Sequence, residues 1–263
     1  MAGGSNRPAY RSPQRWTSIE RELRAEKGPL LAGVDEVGRG PLAGPVVACA
    51  VIMPHDAHAI RGVDDSKLLT LKERLRLVSR IKERALAYAV GAASVKEIDR
   101  LNIYHASTLA MMRALRRLKV TPDHVIVDGR AIRALPFAHT AIVHGDARCH
   151  SIACASIIAK VTRDRVMASL AARHPHYGWE HNAGYATRDH MSGLNGHGAT
   201  RHHRMSFVPV RQTSFDFSTP VSVDALADVL ADEQAIVAEA LGEGAAPNSG
   251  LMDAGDRPPE LLA

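Results

Sequence analysis

Cysteine is scarce: the 263-residue chain has three, Cys49, Cys149 and Cys154. An odd, small number in a chain of this length excludes a disulfide framework and points to a reducing, cytoplasmic setting. Long hydrophobic runs are missing as well. The most apolar stretches, residues 44–53 and 85–95, break off before the length of about 20 residues that a bilayer-spanning helix needs, so no membrane association is expected. Arg7, Arg11 and Arg15 near the start are followed by no apolar block, which argues against a secretory signal. There is no internal repeat.

What is present is enough for one large or two small globular domains: 46% of residues are apolar and 23% charged. The net charge of +5 is unevenly spread. Residues 211–263 hold two basic and ten acidic residues, a balance of −8, so the preceding 210 residues carry +13. A basic body calls for a polyanionic partner, nucleic acid first and anionic lipid second, although a well-solvated surface gives the same average.

Three regions are expected. Residues 1–28 read as a basic arm (1–16) followed by a short helix (18–27), residues 29–210 as the folded body with a loop-rich cap at about 175–210, and residues 211–263 as an acidic, flexible tail. In the body, 30–35 and 46–53 are short apolar runs that should pair as antiparallel strands around a tight turn through Gly38-Arg39-Gly40-Pro41. Residues 70–86 predict a helix with Leu71, Leu75, Val78 and Ala85 inside, a basic outer face of Lys72, Arg76, Arg80 and Arg84, and a capping box of Thr70 and Glu73. A strand at 88–95 and a helix at 103–119 burying Met111, Ala114, Leu115 and Leu118 follow. Strands at 125–127 and 138–144 precede a helix opened by Ser151 that buries Cys154, Ile157, Ile158 and Val161. Strands first, then strands alternating with helices, predict an α/β fold: a mixed sheet with helices on its faces. The cap should contain one helix near 187–194, with Tyr177 and Trp179 packing beneath it.

Acids close three of these strands: Asp35-Glu36, Asp128 before Gly129, and Asp146 after Gly145. Taken singly, each could simply cap a turn. Four carboxylates at one sheet edge repel one another unless a divalent cation lies among them, and hard oxygens of this kind suit Mn2+ or Mg2+. Two such ions about 4 Å apart can activate water on one side of a phosphodiester and stabilise the leaving oxygen on the other. Adjacent strand residues face opposite ways, so Asp35 and Glu36 share a site only if the strand bends, and the glycines just beyond are expected to supply that bend. Cys149, Cys154, His144 and His150 match no zinc spacing, and His197, His202 and His203 read as surface or phosphate-contacting side chains. Asp164 reads either as a carboxylate supporting Asp146 or as the surface ion-pair partner of Lys160, and is left outside the site.

The segment from Gly33 to Pro45, Gly-Val-Asp-Glu-Val-Gly-Arg-Gly-Pro-Leu-Ala-Gly-Pro, resembles the opening motif of ribonuclease HII, the bacterial type 2 ribonuclease H. Further matches follow in that family's order: Asp64-Asp65-Ser66-Lys67, Asn102-Ile103, Val127-Asp128-Gly129, Gly145-Asp146, Ala155 to Asp164, Tyr177-Gly178-Trp179, Gly184-Tyr185 and His202-His203-Arg204. The resemblance covers about residues 30–210.

It implies a ribonuclease H-like fold and a metal-dependent endonuclease that cuts the RNA strand of RNA/DNA hybrids and cuts at ribonucleotides embedded in duplex DNA. The ends left are 3′-hydroxyl and 5′-phosphate, and the implied roles are removal of misincorporated ribonucleotides and of RNA primers. By the same resemblance Asp35, Glu36, Asp128 and Asp146 bind the metal, Gly38, Arg39 and Gly40 read the ribose 2′-hydroxyl, and Tyr185 stacks on the sugar beside the cut; Lys67 reads separately as a phosphate contact or as part of the entry to the helix that Thr70 caps. The physical reason stands apart from the family: glycine lets the main chain approach closely, and the 2′-hydroxyl alone distinguishes RNA from DNA there. The chain departs from the family at Asn182-Ala183, often His-Lys, and at Leu68, often a second lysine; both bear on affinity more than on chemistry. A phosphotransferase of the same broad fold would need a second nucleotide-binding half, and a non-catalytic RNA-binding module would not need four strand-end acids. A monomer is expected. Gln212-Thr213-Ser214-Phe215-Asp216-Phe217 loosely resembles a sliding-clamp docking peptide, and the plainer reading folds both phenylalanines back on the body.

Overall fold

Val46–Ile52, an unbroken apolar run, forms strand β2 with every side chain buried. Side chains alternate across a strand, so one without polar positions must be covered on both faces. The structure, a computed structural model, describes residues 17–213 except 57, 65 and 68. The sequence features at residues 1–16, Asp65, Leu68 and 214–263, with Phe215 and Phe217, lie outside the described residues. β2 is flanked by antiparallel β1 (Leu31–Val37) and β3 (Ala87–Ala93), while β4 (His124–Asp128) and β5 (His139–Ile142) extend the sheet in parallel beyond β1. The order is β3-β2-β1-β4-β5, the mixed sheet expected.

The helices are α1 (Thr17–Lys27), α2 (Leu71–Arg84), α3 (Val95–Arg116), α4 (His150–Arg173), α5 (Trp179–Asn182), α6 (Arg188–His197) and α7 (Val208–Thr213). α3 covers one face of the sheet and α4 the other. Val47, Cys49 and Val51 of β2 pack toward Ile157 and Ile158 of α4, whereas Ala48, Ala50 and Ile52 pack toward Met111 and Leu115 of α3. At Gly33 of β1 a Cβ would collide with the main chain of Ser151 and Ile152, so glycine there lets α4 lie directly on the strand that carries Asp35.

Four expectations are corrected. α2 has its capping box of Thr70 and Glu73, and Val78 is buried as expected, but Leu71 and Leu75 are 55% and 39% exposed, and Leu77 and Ile81 are buried in their place. Two overlapping stripes fit the helical period, and packing against α4 selects the second. α3 starts at Val95, eight positions before the expected Ile103, behind its own capping box of Ser94 and Glu97. A break at Asn102, whose side chain accepts from the N–H groups of Tyr104 and His105, restarts the helix at Ile103. β1 does not bend after Asp35: pairing runs on through Glu36↔Ala48 and Val37↔Val47, so the two acids do face opposite sides. Asp146 lies beyond β5, in a 3₁₀ turn (Gly145–Ala147) that leads into α4.

Candidate active site

β1 and β4 run parallel, and their last paired positions are Val34↔Val127. One residue further along each strand stand Asp35 and Asp128. This is how the site gathers without a bend: Glu36 points to the α3 side and Asp35 to the α4 side of β1, and Asp128 at the strand end meets the field of both. Asp35 is buried, accepts the N–H of Glu36 at 2.8 Å, and accepts a hydrogen bond from Ser156 on α4. Ser66 Oγ lies 3.0 Å from Ser156 Oγ, and since Ser156 gives its proton to Asp35, Ser66 is the donor between the two hydroxyls. Burial first, then the charges of Glu36 and Asp128, hold the Asp35 carboxyl well above the usual carboxylate range.

Glu36 is raised by burial too, opposed by Arg39, whose Nη1 lies 3.0 Å from Glu36 Oε1. Asp128 Oδ1 accepts the N–H of Gly145 at 2.6 Å, tying the end of β4 to the 3₁₀ turn. Asp146, the next residue, is buried, with one carboxylate oxygen 3.8 Å from Nζ of the exposed Lys67. Glu36 and Asp128 line a cleft of about 410 Å³ closed by Tyr104, Ser107 and Met111 of α3 and edged by Arg130.

These acids suit a divalent cation by donor type and by field. They are hard oxygens, and their mutual repulsion under burial is what a small dication relieves. Among the described residues no three carboxylates, imidazoles or thiols grip one point as they stand. Glu36 is paired with Arg39 at 3.0 Å, and Asp146 lies 3.8 Å from Lys67.

Beside the acids, residues 38–45 form the connection from β1 to β2, and two buried arginines hold it. Arg204 donates to the carbonyls of Gly38, Arg39 and Gly44, and Arg163 of α4 donates to those of Ala43, Pro45 and Ala183. Burial pushes the Arg163 guanidinium down to about 10. Gly38 has φ of 92°, and a Cβ there would run into the Arg163 guanidinium, so the connection needs glycine at this point. Tyr185 is 48% exposed and stands over the connection: a Cβ on Gly40 would be 3.6 Å from its ring. Arg39 thus links the connection to Glu36, Lys67 lies against Asp146, and Tyr185 lies beside Gly40.

The cap differs from expectation. His202 and His203, read as surface residues, are fully buried, because Trp179, Tyr177 and His190 wrap them in rings; His197 is exposed and stacks on His176. Tyr177 and Trp179 pack beneath the cap as expected. Of the two readings of Asp164, the ion pair is the one found: it pairs with Lys160, and also with Arg74 of α2 at 3.6 Å. Asn182, at the departure from the family pattern, braces the turn into Tyr185, since its amide donates to the Tyr177 carbonyl at 2.7 Å and accepts from the Gly184 N–H at 2.8 Å. Sequence reasoning missed Ser156, Arg163 and Arg204, although all three fall inside the family-like motifs. A buried arginine looks like a surface arginine until its carbonyl partners are known.

The model of the family described as Ribonuclease HII matches residues 32–210. A relative named Ribonuclease HII from Granulibacter bethesdensis is 56% identical over 194 residues, spanning 72% of this chain and 89% of the relative. The ribonuclease H2 of Pyrococcus horikoshii superposes with a TM-score of 0.60 at 27% identity, spanning 70% of this chain and 96% of that one. The RNase HII of Archaeoglobus fulgidus, solved in complex with PCNA, shares the fold with a TM-score of 0.57 at 23% identity, over 74% of this chain and 99% of that one.

Proposed function

The chain belongs to the ribonuclease HII family and is a ribonuclease H, and from that premise we propose that it is a metal-dependent endonuclease that cuts RNA/DNA hybrids and single ribonucleotides embedded in duplex DNA. The observation that carries this reading is the crowding of Asp35, Glu36 and Asp128 at the ends of two parallel strands, directly before a main-chain connection held open by glycine. Asp35, Glu36, Asp128 and Asp146 are the residues to hold the cation. When bound, it supplies a water of lowered pKa and positive charge for the leaving oxygen.

The chain's own groups do the rest. Ser156, steadied by Ser66, and the Glu36 N–H hold the Asp35 carboxylate in place. Gly38, Arg39 and Gly40 offer main-chain groups to the ribose 2′-hydroxyl, with Arg163 and Arg204 keeping that backbone from moving away when substrate binds. Tyr185 stacks on the neighbouring sugar, and Lys67, whose Nζ lies 3.8 Å from an Asp146 oxygen, offers positive charge to a substrate phosphate. Products with 3′-hydroxyl and 5′-phosphate ends fit removal of misincorporated ribonucleotides and RNA primers. In the same reading residues 212–217 dock on a sliding clamp; clamp-stimulated cleavage that survives Phe215→Ala together with Phe217→Ala would rule this out.

The decisive experiment maps cleavage of a duplex with one ribonucleotide, with Mn2+, with Mg2+ and with chelator. One cut beside the ribonucleotide, dependent on added cation, is expected. Equal cutting of an all-DNA duplex, or undiminished cutting in chelator, would overturn the proposal.

A further inference from the structure

Under the cap, away from the carboxylates, His190, His203 and Trp179 form a buried polar chain, at 0%, 1% and 0% exposure. One arrangement of protons satisfies its contacts. His203 Nδ1 accepts the N–H of Thr200 at 2.9 Å, so the His203 proton sits on Nε2. That N–H points at His190 Nε2, 3.1 Å away, whose one lone pair it shares with the indole N–H of Trp179 at 3.0 Å. His190 Nε2 therefore bears no proton, and Nδ1–H donates to the Tyr185 carbonyl at 2.9 Å. Both rings are neutral in this arrangement, and burial favours that form in each.

The far end of the chain reaches the recognition loop. His203 bridges Ala43, the N–H of Gly44 donates to the His202 carbonyl at 2.9 Å, and the N–H of Arg204 donates to the Leu42 carbonyl at 2.8 Å. Leu42 in turn donates its N–H to the Gly184 carbonyl at 2.8 Å, which closes a ring from Tyr185 through His190 and His203 to residues 42–44 and back. Tyr185 itself is half-exposed, so packing does not fix where its ring stands relative to Gly40. A hydrogen-bonded chain specifies orientation where an apolar filling of the same space would not.

We propose that His190 and His203 are positioning residues for substrate recognition, the pair setting the main chain at Tyr185 so that its ring meets the substrate sugar in register with residues 38–40. The proposal rests on the reading of Tyr185 given above and goes beyond it in naming what aims that residue.

The test measures KM and kcat on a duplex with one ribonucleotide, in the full-length protein. An asparagine at 190 places an amide N–H near where Nδ1 stood, whereas leucine offers none. His190→Asn keeps the bond to the Tyr185 carbonyl but loses the one from His203, so it should raise KM about fivefold, as His203→Asn does, while His190→Leu should raise KM about tenfold with a smaller change in kcat. In a Tyr185→Ala background, His190→Leu should add less than about twofold, because the residue it aims is gone. Should His190→Leu fail to fold, His203 asks the same question: His203→Gln keeps a donor toward His190 and His203→Asn loses it, so Gln should outperform Asn about fivefold in KM. A harmful Tyr185→Ala on which the histidine change acts with full, additive force overturns the positioning role alone. A harmless Tyr185→Ala beside a harmful His190→Leu overturns both it and the reading of Tyr185. Equal behaviour of Asn and Gln at 203 also overturns it.

Discussion

Arg204 donates from Nη2 to the carbonyl of Gly38 at 2.6 Å, across 166 positions of sequence, and it does so fully buried. Its other bonds go to the Arg39 and Gly44 carbonyls, so the residue serves as a rigid fork for a loop that has no secondary structure of its own. A lysine has the charge without the fork. Arg204→Lys should leave carbonyls of the 38–45 connection buried without donors, at roughly 3 kcal/mol in all. Thermal melting should fall by about 10 °C, and cleavage of a single embedded ribonucleotide should weaken through KM. A melting point within a degree of wild type would show that the fork is dispensable.

Asp35→Asn should abolish cleavage and stabilise the metal-free protein. The wild-type carboxyl is held above its usual range by burial and by two neighbouring acids, so at neutral pH its charge opposes folding. The amide oxygen of asparagine can still accept from Ser156. Melting curves in chelator and cleavage assays in Mn2+ check the two halves separately, and residual activity within a few-fold of wild type would remove Asp35 from the machinery.

The sequence is most readable where the cause is local. Val46–Ile52 declares a strand buried on both faces, Thr70 and Glu73 declare a helix start, and acids beside glycines mark Asp128 and Asp146 as strand-end or turn residues. What the sequence hides depends on partners far away in the chain. Arg163 and Arg204 acquire their role from carbonyls of residues 38–45, and His202 and His203 look polar and exposed until Trp179, Tyr177 and His190 close around them. Periodicity reports which residues share a helix face. It does not report which of two overlapping stripes meets a neighbour, which is why Leu71 reads as buried from the sequence and Leu77 is the residue that is.

Glu20 of α1 shows the same dependence on distant residues. Its buried carboxylate accepts the N–H groups of His150 and Ser151 at 3.2 and 3.0 Å and the Ser151 hydroxyl at 2.6 Å, capping the first turn of α4 from 130 positions away. Anionic groups at a helix N-terminus are favourable, and these three donors have their bonds from one side chain. Glu20→Ala should lower stability by about 2 kcal/mol, read by denaturant titration at pH 7. Because the first turn of α4 follows directly on Asp146, it should also weaken cation binding measured by titration calorimetry. Unchanged stability would mean that water replaces the cap.

Two buried histidines should set the acid limb of the stability curve. Burial holds His150 down to about 4 and His203 down to about 3, whereas both titrate near 6.5 in the unfolded chain. Between those values the unfolded state binds protons that the folded state does not. Stability from these residues is therefore fully present above about pH 6.5 and is lost progressively as pH falls toward 4 and then 3. Asp35 acts in the opposite sense: its raised folded value means that stability is lost as pH rises from the ordinary carboxylate range through that value. Mutation separates the two trends. His150 Nε2 accepts the Ile60 N–H at 3.1 Å, a bond that a glutamine oxygen can replace without a titrating group. His150→Gln should reduce the dependence of unfolding free energy on pH between 6 and 4.5 by up to one proton, about 1.4 kcal/mol per pH unit, while leaving the neutral-pH limb unchanged. An identical slope in wild type and variant would show that His150 is protonated in the folded protein and that the acid limb has another source.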